Sequence, residues 1–220
     1  KLVHFFDSTL GYCESRLFEV CKALQALKHK FVLSCDIRAE FLTEKTLKAL
    51  EDAGSREIRV ALEAADSRVL EKNNRKILPD TVMDKIKLVR KNSGLYLTLY
   101  TVSGLPGFTL ETYRKNQEIY RYLLETKNAQ YVPYPRDNKD LTGKGIIWME
   151  DKWENYDRQS YPVYETKELT RQQIWEGFLD TARTINRAWL KGWGLGSVDE
   201  LGNEELYPEY IVSNYLGKKV

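Results

Sequence analysis

Histidine is nearly absent from this chain: His4 and His29 are the only two among 220 residues, and His29 stands in a Lys-His-Lys stretch that reads as a solvated helix end. A zinc site or a histidine-based triad is therefore not expected. Cysteine is scarce too. Cys13, Cys21 and Cys35 form neither an even disulfide set nor a closely spaced metal-ligand pair, and they read as small apolar fillers in a reducing compartment. Neither sign of charge dominates, since 34 Lys and Arg face 32 Asp and Glu for a formal net charge of +2. So weak a field gives no pull toward nucleic-acid phosphates or anionic membranes. Long apolar runs are missing as well; a stretch such as Leu97–Val102 is far too short to span a bilayer, and the chain opens on strand-like Leu2-Val3-His4-Phe5-Phe6 without the pattern of a signal peptide. The expectation is a soluble, cytoplasmic protein without repeats or low-complexity segments.

What is present suits one globular α/β domain with or without a tail: 42% of the residues are hydrophobic and 30% charged. Apolar, β-rich runs occur at Val3–Phe6, Phe31–Cys35, Ile58–Leu62, Leu97–Val102 and Ala129–Val132, each followed by helical spacing. Between the first two, Leu17, Val20, Cys21, Leu24 and Leu27 recur three or four apart and share one helical face. Thr43 is placed to cap a helix that stops at Ala53-Gly54. Pro79 sits in the first turn of a helix to Arg90 with Val82, Ile86 and Val89 on one face, and Thr109–Leu124 reads as another. Strands alternating with helices predict parallel pairing through right-handed crossovers. Periodicity leaves a doubly wound sheet and a (β/α) barrel both open.

Beyond Pro133 the pattern changes. Tyr134–Asn138 and Thr142–Gly145 are turn-rich, and Trp148–Tyr164 is aromatic and charged without clean periodicity, which predicts a long connection. A helix opens at Thr170 and runs to about Leu190 with Ile174, Phe178, Ala182, Ile185 and Trp189 in one stripe; Gly192 onward reads as a tail or docking arm. The expected division is 1–137, a partial barrel; 138–169, an irregular aromatic connection; and 170–220, a carboxy-terminal helix and tail. Gly192-Trp193-Gly194-Leu195-Gly196 follows a helix with no strand before it, so the mechanism of a dinucleotide loop is missing. The five tryptophans, without a basic stripe, read as packing surfaces.

In parallel α/β folds ligands meet the carboxyl ends of the strands. The residues there are Asp7-Ser8-Thr9 after the first run, Asp36 and Arg38 at the second, Glu63 at the third, Ser103-Gly104-Leu105-Pro106-Gly107 at the fourth, and Tyr134 and Arg136 at the fifth. Each has a structural alternative. Asp7-Ser8-Thr9 can cap a helix, Arg38 can pair with Glu40 or Asp36, Glu63 can be a solvated charge, and the glycines can form a turn.

At these strand ends the chain resembles the radical S-adenosylmethionine (SAM) superfamily, in particular the group with an upstream cobalamin-binding domain that includes the anaerobic Mg-protoporphyrin IX monomethyl ester cyclase. Val3–Leu10 is similar to that group's second barrel strand with its Asp-Asp-Thr-Phe-like end, and Asp36-Ile37-Arg38-Ala39 with Leu47–Gly54 to its third strand and following helix. Ile58–Ala64 corresponds to the strand that usually ends Gly-Ile-Glu-Ser, and Val69–Lys76 to the segment after it. Val102–Thr112 resembles the Gly-Leu-Pro-Gly-Glu-Thr motif that opens the helix after the fifth strand. The resemblance runs from about Val3 to Asp137. It implies a partial (β/α)6 TIM-like barrel with a carboxy-terminal helical arm. Asp7, Ser8 and Thr9 would face the methionine end of SAM, Arg38 its carboxylate, Glu63 its ribose hydroxyls or amino group, and Ser103, Gly104, Pro106 and Gly107 the adenine.

There are departures. Ala61 and Ala64 replace the usual glycine and serine, and Phe108 replaces an acidic residue. No Cys-x-x-x-Cys-x-x-Cys occurs, and the strand whose loop carries it in the family is absent. The resemblance thus implies a fragment that begins at the second strand and is catalytically silent by itself. In the complete enzyme, an oxidoreductase or transferase, a [4Fe–4S] cluster would cleave SAM to a 5′-deoxyadenosyl radical. Its partners would be a small-molecule substrate, an upstream cluster-binding segment and a possible cobalamin-binding domain. The alternatives are an ordinary (β/α)-barrel lyase or hydrolase using Glu63 and Asp7 as acid and base, and a non-catalytic binding module.

Overall fold

The computed structural model describes residues 2–5, 9–28, 31–124, 129–135, 145–149 and 162–181. In chain order the elements are β1 (Leu2–Phe5), α1 (Glu14–Gln25), β2 (Val32–Asp36), a 3-10 turn η1 (Ala39–Phe41), α2 (Glu44–Asp52), β3 (Ser55–Glu63), α3 (Ser67–Lys72), α4 (Pro79–Asn92), β4 (Tyr96–Ser103), α5 (Leu110–Leu124), β5 (Ala129–Pro135), β6 (Ile146–Trp148) and β7 (Tyr164–Thr166). A further helix occupies 171–181. The five long strands are hydrogen-bonded in the order β1-β2-β3-β4-β5. β1 and β2 pair in parallel with His4 beside Ser34, and β2 and β3 in parallel with Ser34 beside Glu57 and Asp36 beside Arg59. A doubly wound sheet reverses its order at a central switch point. The sequential order here is that of a barrel sheet, so the choice left open by periodicity falls to a partial barrel.

Contacts divide the chain into two compact units, Lys1–Leu62 with Ile77–Tyr100, and Glu63–Lys76 with Thr101–Val220. In the first, α1 turns Leu17 and Cys21 inward, α2 buries Leu47 and Leu50, and α4 buries Val82, Ile86 and Val89. The strands answer with Leu33 and Cys35, Ile58 and Val60, and Leu97 and Leu99, all under 6% exposed. α2 touches both α1 and α4. Its start is a capping box in which Thr46 N–H donates to Thr43 Oγ1 (3.2 Å) and Thr43 N–H donates to Thr46 Oγ1 (2.8 Å). Thr46 does the work usually given to Glu or Gln. The helix ends at Gly54, whose φ of +97° lies in the left-handed region and whose missing side chain lets Phe31 O approach: a Cβ there would stand 2.8 Å from that oxygen.

In the second unit, Leu105, Phe108, Tyr113, Val163, Tyr164, Leu169 and Ile174 form one buried cluster with Ala64, Val69 and Leu70. The segment expected to be irregular carries order at both ends, since β6 and β7 pair antiparallel with Trp148 beside Tyr164, their rings edge to face at 5.7 Å. Strands of three residues contain too little alternation to register as a period; residues 150–161 lie outside the described part. Thr170 opens the helix at 171–181 as expected, exchanging hydrogen bonds with Gln173, and buries Ile174 and Phe178. Ala182, Ile185, Trp189 and the arm from Gly192 lie outside the described residues. Among the described residues no helix is long and apolar enough to cross a membrane.

Gly54→Ala is expected to destabilise the protein by at least about 1–2 kcal/mol, because alanine both strains the positive φ and meets a backbone oxygen. Urea unfolding should show a lower midpoint at an unchanged slope.

Candidate functional site

Every sequence-designated residue that the structure describes lies at the carboxyl end of a strand. Asp7 and Ser8 fall outside the described residues. Thr9 stands in the turn after β1, where its carbonyl accepts the N–H of Tyr12, and α1 takes Cys13, not Thr9, as its N-cap. Arg38 follows β2 and precedes η1; its guanidinium pairs with Glu40 and is 52% exposed. Glu63 ends β3 at a φ of +67°, a conformation costly for a residue with a Cβ. Its carboxylate is held by Arg75 at 2.8 Å and is 15% exposed.

Ser103–Gly107 is tightly built. Leu105-Pro106-Gly107-Phe108 closes through Phe108 N–H to Leu105 O (2.8 Å), with proline second and glycine third at φ +88°, the signature of a type II turn. The loop's backbone is engaged by side chains of its own unit. Ser103 O accepts the Tyr164 hydroxyl (3.2 Å), Pro106 O accepts Asn73 Nδ2 (2.9 Å), and Gly107 N–H donates to Glu168 Oε2 (3.2 Å). Glu168 is fixed by Lys72 at 2.6 Å, and its carboxyl is held below the usual range: the Lys72 and Gly107 hydrogen bonds outweigh the opposing effect of burial, which is the largest single contribution. A Cβ on Gly104 would stand 2.8 Å from Ile174, and one on Gly107 would stand 2.9 Å from Lys72. Gly104 is therefore held by packing against Ile174 and Tyr164, whereas at Gly107, which faces only the flexible Lys72 stem, the φ of +88° is what calls for glycine.

Phe108, which departs from the family's acidic residue, is fully buried and meets Tyr113 edge to face at 4.7 Å. α5 starts just beyond it on a reciprocal Thr109–Thr112 cap. Asp66 caps α3 and receives Arg68 N–H (3.0 Å), the Arg68 guanidinium (3.0 Å) and Lys115 Nζ (2.8 Å) while only 2% exposed. Its pKa lies far below the ordinary carboxylate value because those donors, Arg68 foremost, favour the ion.

Beside Asp36, designated at a strand end from the sequence, the first unit holds residues that sequence reasoning passed over. On one face of β1 to β4, His4 Nδ1 lies 3.0 Å from Ser34 Oγ, and the Ser34 hydroxyl donates to Glu57 Oε2 (2.6 Å). Thr98 Oγ1 donates to Glu57 Oε1 (2.6 Å), Arg59 Nε sits 3.3 Å from the same carboxylate, and Arg59 donates to the Tyr100 hydroxyl (3.0 Å). Burial pushes the Tyr100 phenol up to about 12 and raises Asp36 above the ordinary carboxylate value. The signal was legible in Glu57-Ile58-Arg59-Val60 and Thr98-Leu99-Tyr100, where polar residues alternate with apolar ones inside predicted strands.

The described cysteines do not suit an iron–sulfur cluster. Cys13 is exposed at the start of α1, whereas Cys21 and Cys35 are buried. Burial raises the Cys21 thiol and pushes that of Cys35 up to about 12. Among the described residues no group of three His, Cys, Asp or Glu could hold a metal.

The model of the Radical SAM superfamily matches residues 7–119. An uncharacterized methyltransferase, PH0819, of Pyrococcus horikoshii is 23% identical over 178 residues, which are 79% of this chain and 38% of that protein. Among solved structures, coproporphyrinogen III oxidase (HemN) from Escherichia coli, a radical SAM enzyme, superimposes with a TM-score of 0.59 at 12% identity over 88% of this chain and 40% of the other. The radical SAM methyltransferase TsrM from Kitasatospora setae, solved with cobalamin and a [4Fe–4S] cluster bound, does so with a TM-score of 0.51 at 17% identity over 61% of this chain and 28% of the other. The fold is thus that of radical SAM barrels, and the chain spans well under half the length of these relatives.

Two outcomes are expected from the second unit. Asp66→Asn should cost about 1–2 kcal/mol at neutral pH. Because the folded-state pKa of Asp66 is depressed, its contribution is full above about pH 5 and fades as pH falls below the ordinary value of about 3.9. Urea midpoints of wild type and variant should therefore converge on acidification. Phe108→Glu, which restores the family's residue type, should destabilise by at least about 3 kcal/mol through a lost ring and a buried charge, seen as a lowered thermal midpoint.

Proposed function

The chain belongs to the Radical SAM superfamily, and on that premise we propose that it forms part of an enzyme that binds and reductively cleaves SAM. Its strand ends would contribute the SAM contacts, and cysteines outside these 220 residues the cluster. The observation that carries the reading is Glu63. A carboxylate held at a strand end in a left-handed conformation, and fixed by Arg75 at 2.8 Å, is a strained arrangement of the kind retained where a ligand is gripped. In this proposal Glu63 takes the ribose hydroxyls or amino group of SAM, Arg38 its carboxylate, and Asp7, Ser8 and Thr9 its methionine end. The adenine lies along Ser103, Gly104, Pro106 and Gly107, at whichever atoms Tyr164, Asn73 and Glu168 leave open.

The thiols of Cys13, Cys21 and Cys35 do not suit a cluster, so these 220 residues by themselves are proposed not to cleave SAM. The reaction of the complete enzyme is proposed to be a transfer or oxidation on a small-molecule substrate. The name of the Pyrococcus horikoshii relative favours methyl transfer; the strand-end motifs favour an oxidoreductase like the anaerobic cyclase, with cobalamin on a separate domain.

Calorimetry of SAM against this chain is expected to give a dissociation constant no tighter than about millimolar, since the iron that would chelate its methionine head is not held here and each 1.4 kcal/mol lost is about tenfold. Glu63→Ala should weaken it further, and a longer protein that includes a cysteine triplet, reconstituted without oxygen, should bind more tightly. Equal affinity in all three would place SAM elsewhere. Turnover of a substrate by this chain in air, without iron or SAM, would favour the hydrolase or lyase alternative.

A further inference from the structure

Two consecutive residues at the end of α3 hold two consecutive residues of the loop between β4 and α5. Asn73 Nδ2 donates to Val69 O (2.8 Å) and to Pro106 O (2.9 Å), so it joins the loop to the helix directly. Lys72 acts through an intermediary: its Nζ donates to Glu168 Oε1 (2.6 Å), and Glu168 Oε2 accepts the Gly107 N–H (3.2 Å). Glu168 is placed for this by its own turn, in which Thr166 Oγ1 accepts the N–H groups of Glu168 (3.3 Å) and Leu169 (3.0 Å). All of these residues belong to the second unit.

Pro106 O and Gly107 N–H are the two ends of one peptide group, the central one of the turn Leu105-Pro106-Gly107-Phe108. That group is the one that turns over between type I and type II. Proline followed by glycine favours the observed type II form, and the two hydrogen bonds grip both ends of the group that would have to rotate to leave it. Leu105, Pro106 and Phe108 are buried, whereas Gly107 is a half-buried corner where a Cβ would meet only the flexible stem of Lys72. Glycine has the widest backbone freedom of any residue, so at such a corner its order depends on its hydrogen bond. The Lys72–Glu168 pair is 40% and 25% exposed, and a pair so open to solvent adds little to global stability. Its effect is local to this peptide.

We propose that Glu168, held by Lys72, is a positioning residue: it fixes the Pro106–Gly107 peptide and thereby the surface that the loop offers to the adenine of SAM. The inference rests on the reading of this loop as the adenine site. It adds that a residue 61 positions further along the chain orders the loop before the ligand arrives, while Asn73 holds the other end of the same peptide.

The test is nuclear magnetic resonance on the isotope-labelled 220-residue chain, in two measurements. The first, without ligand, follows the backbone order parameter of the Gly107 amide, expected to fall from about 0.85 in the wild type to below about 0.6 in Glu168→Ala. Glu168→Gln, which keeps an acceptor for the amide, should restore it. The second titrates adenosine and follows the amides of Gly104, Leu105 and Gly107. Glu168→Ala should weaken adenosine binding about threefold to tenfold, because the ordering that the carboxylate supplies must then be met on binding. Glu168→Gln should recover the affinity, and the thermal midpoint should stay nearly constant across the three proteins. An unchanged order parameter in Glu168→Ala would overturn the clamp, and a disordered Gly107 with unchanged adenosine affinity would overturn the positioning role. Adenosine that leaves the loop amides of the wild type unmoved would overturn the adenine reading and this role with it; the ligand-free measurement separates that failure from failure of the clamp.

Discussion

The two-residue alternation of side chains along the parallel strands, with one shift of register between Leu33 and Ser34 against β3, is the constraint on which the rest depends. Once Ile58 and Val60 are committed to the buried side of β3, and Leu97 and Leu99 to that of β4, Glu57, Arg59, Thr98 and Tyr100 have no choice but the opposite face. A shift of register by a single residue would bury Arg59 and expose Val60. The hydrophobic set therefore fixes the ionic set, and the rows His4, Ser34, Glu57 and Asp36, Arg59 follow from pairing that burial makes unambiguous.

The strand ends obey a different rule, because there the pleat stops and loop chemistry takes over. After β4 a proline and a glycine impose a tight turn that releases α5 in the direction its Thr109 cap needs. The turn exposes three backbone groups to hydrogen bonding, and Tyr164, Asn73 and Glu168 take them up. Phe108 then enters the core beside Tyr113, a place an acidic side chain could not occupy. The departure from the family motif is thus matched by a different packing of the loop: the ring goes inward, and Glu168 supplies the carboxylate that accepts the Gly107 amide.

Charge is managed by the same economy throughout. Asp66 is nearly inaccessible but has three donors, so it remains ionised and stabilises α3; Glu57 accepts the Ser34 and Thr98 hydroxyls. Against this background the left-handed backbone of Glu63, whose carboxylate Arg75 holds, is an exception, as are the buried polar atoms without a hydrogen-bond partner among the described residues, Asp36 Oδ1 and Arg59 Nε included. Such exceptions are where ligand chemistry is to be sought.

The sequence by itself determined the five strands of the main sheet, the helices read at 14–27, 43–53, 79–90 and 109–124, the Thr43 cap and the Gly54 stop, since each rests on local periodicity or on a φ only certain residues tolerate. The family was also legible, in short motifs at successive strand ends. Periodicity could not choose the sequential sheet order over a doubly wound one, because both have the same local pattern; the strand-end motifs implied the barrel order, and the tertiary structure has it. It alone paired β6 with β7, joined Glu168 to Gly107 across 61 residues and assembled the Asp36–Glu57–Arg59–Tyr100 face. Those contacts lie between residues far apart in the chain, where no local propensity acts and only the packing of the whole can bring them together.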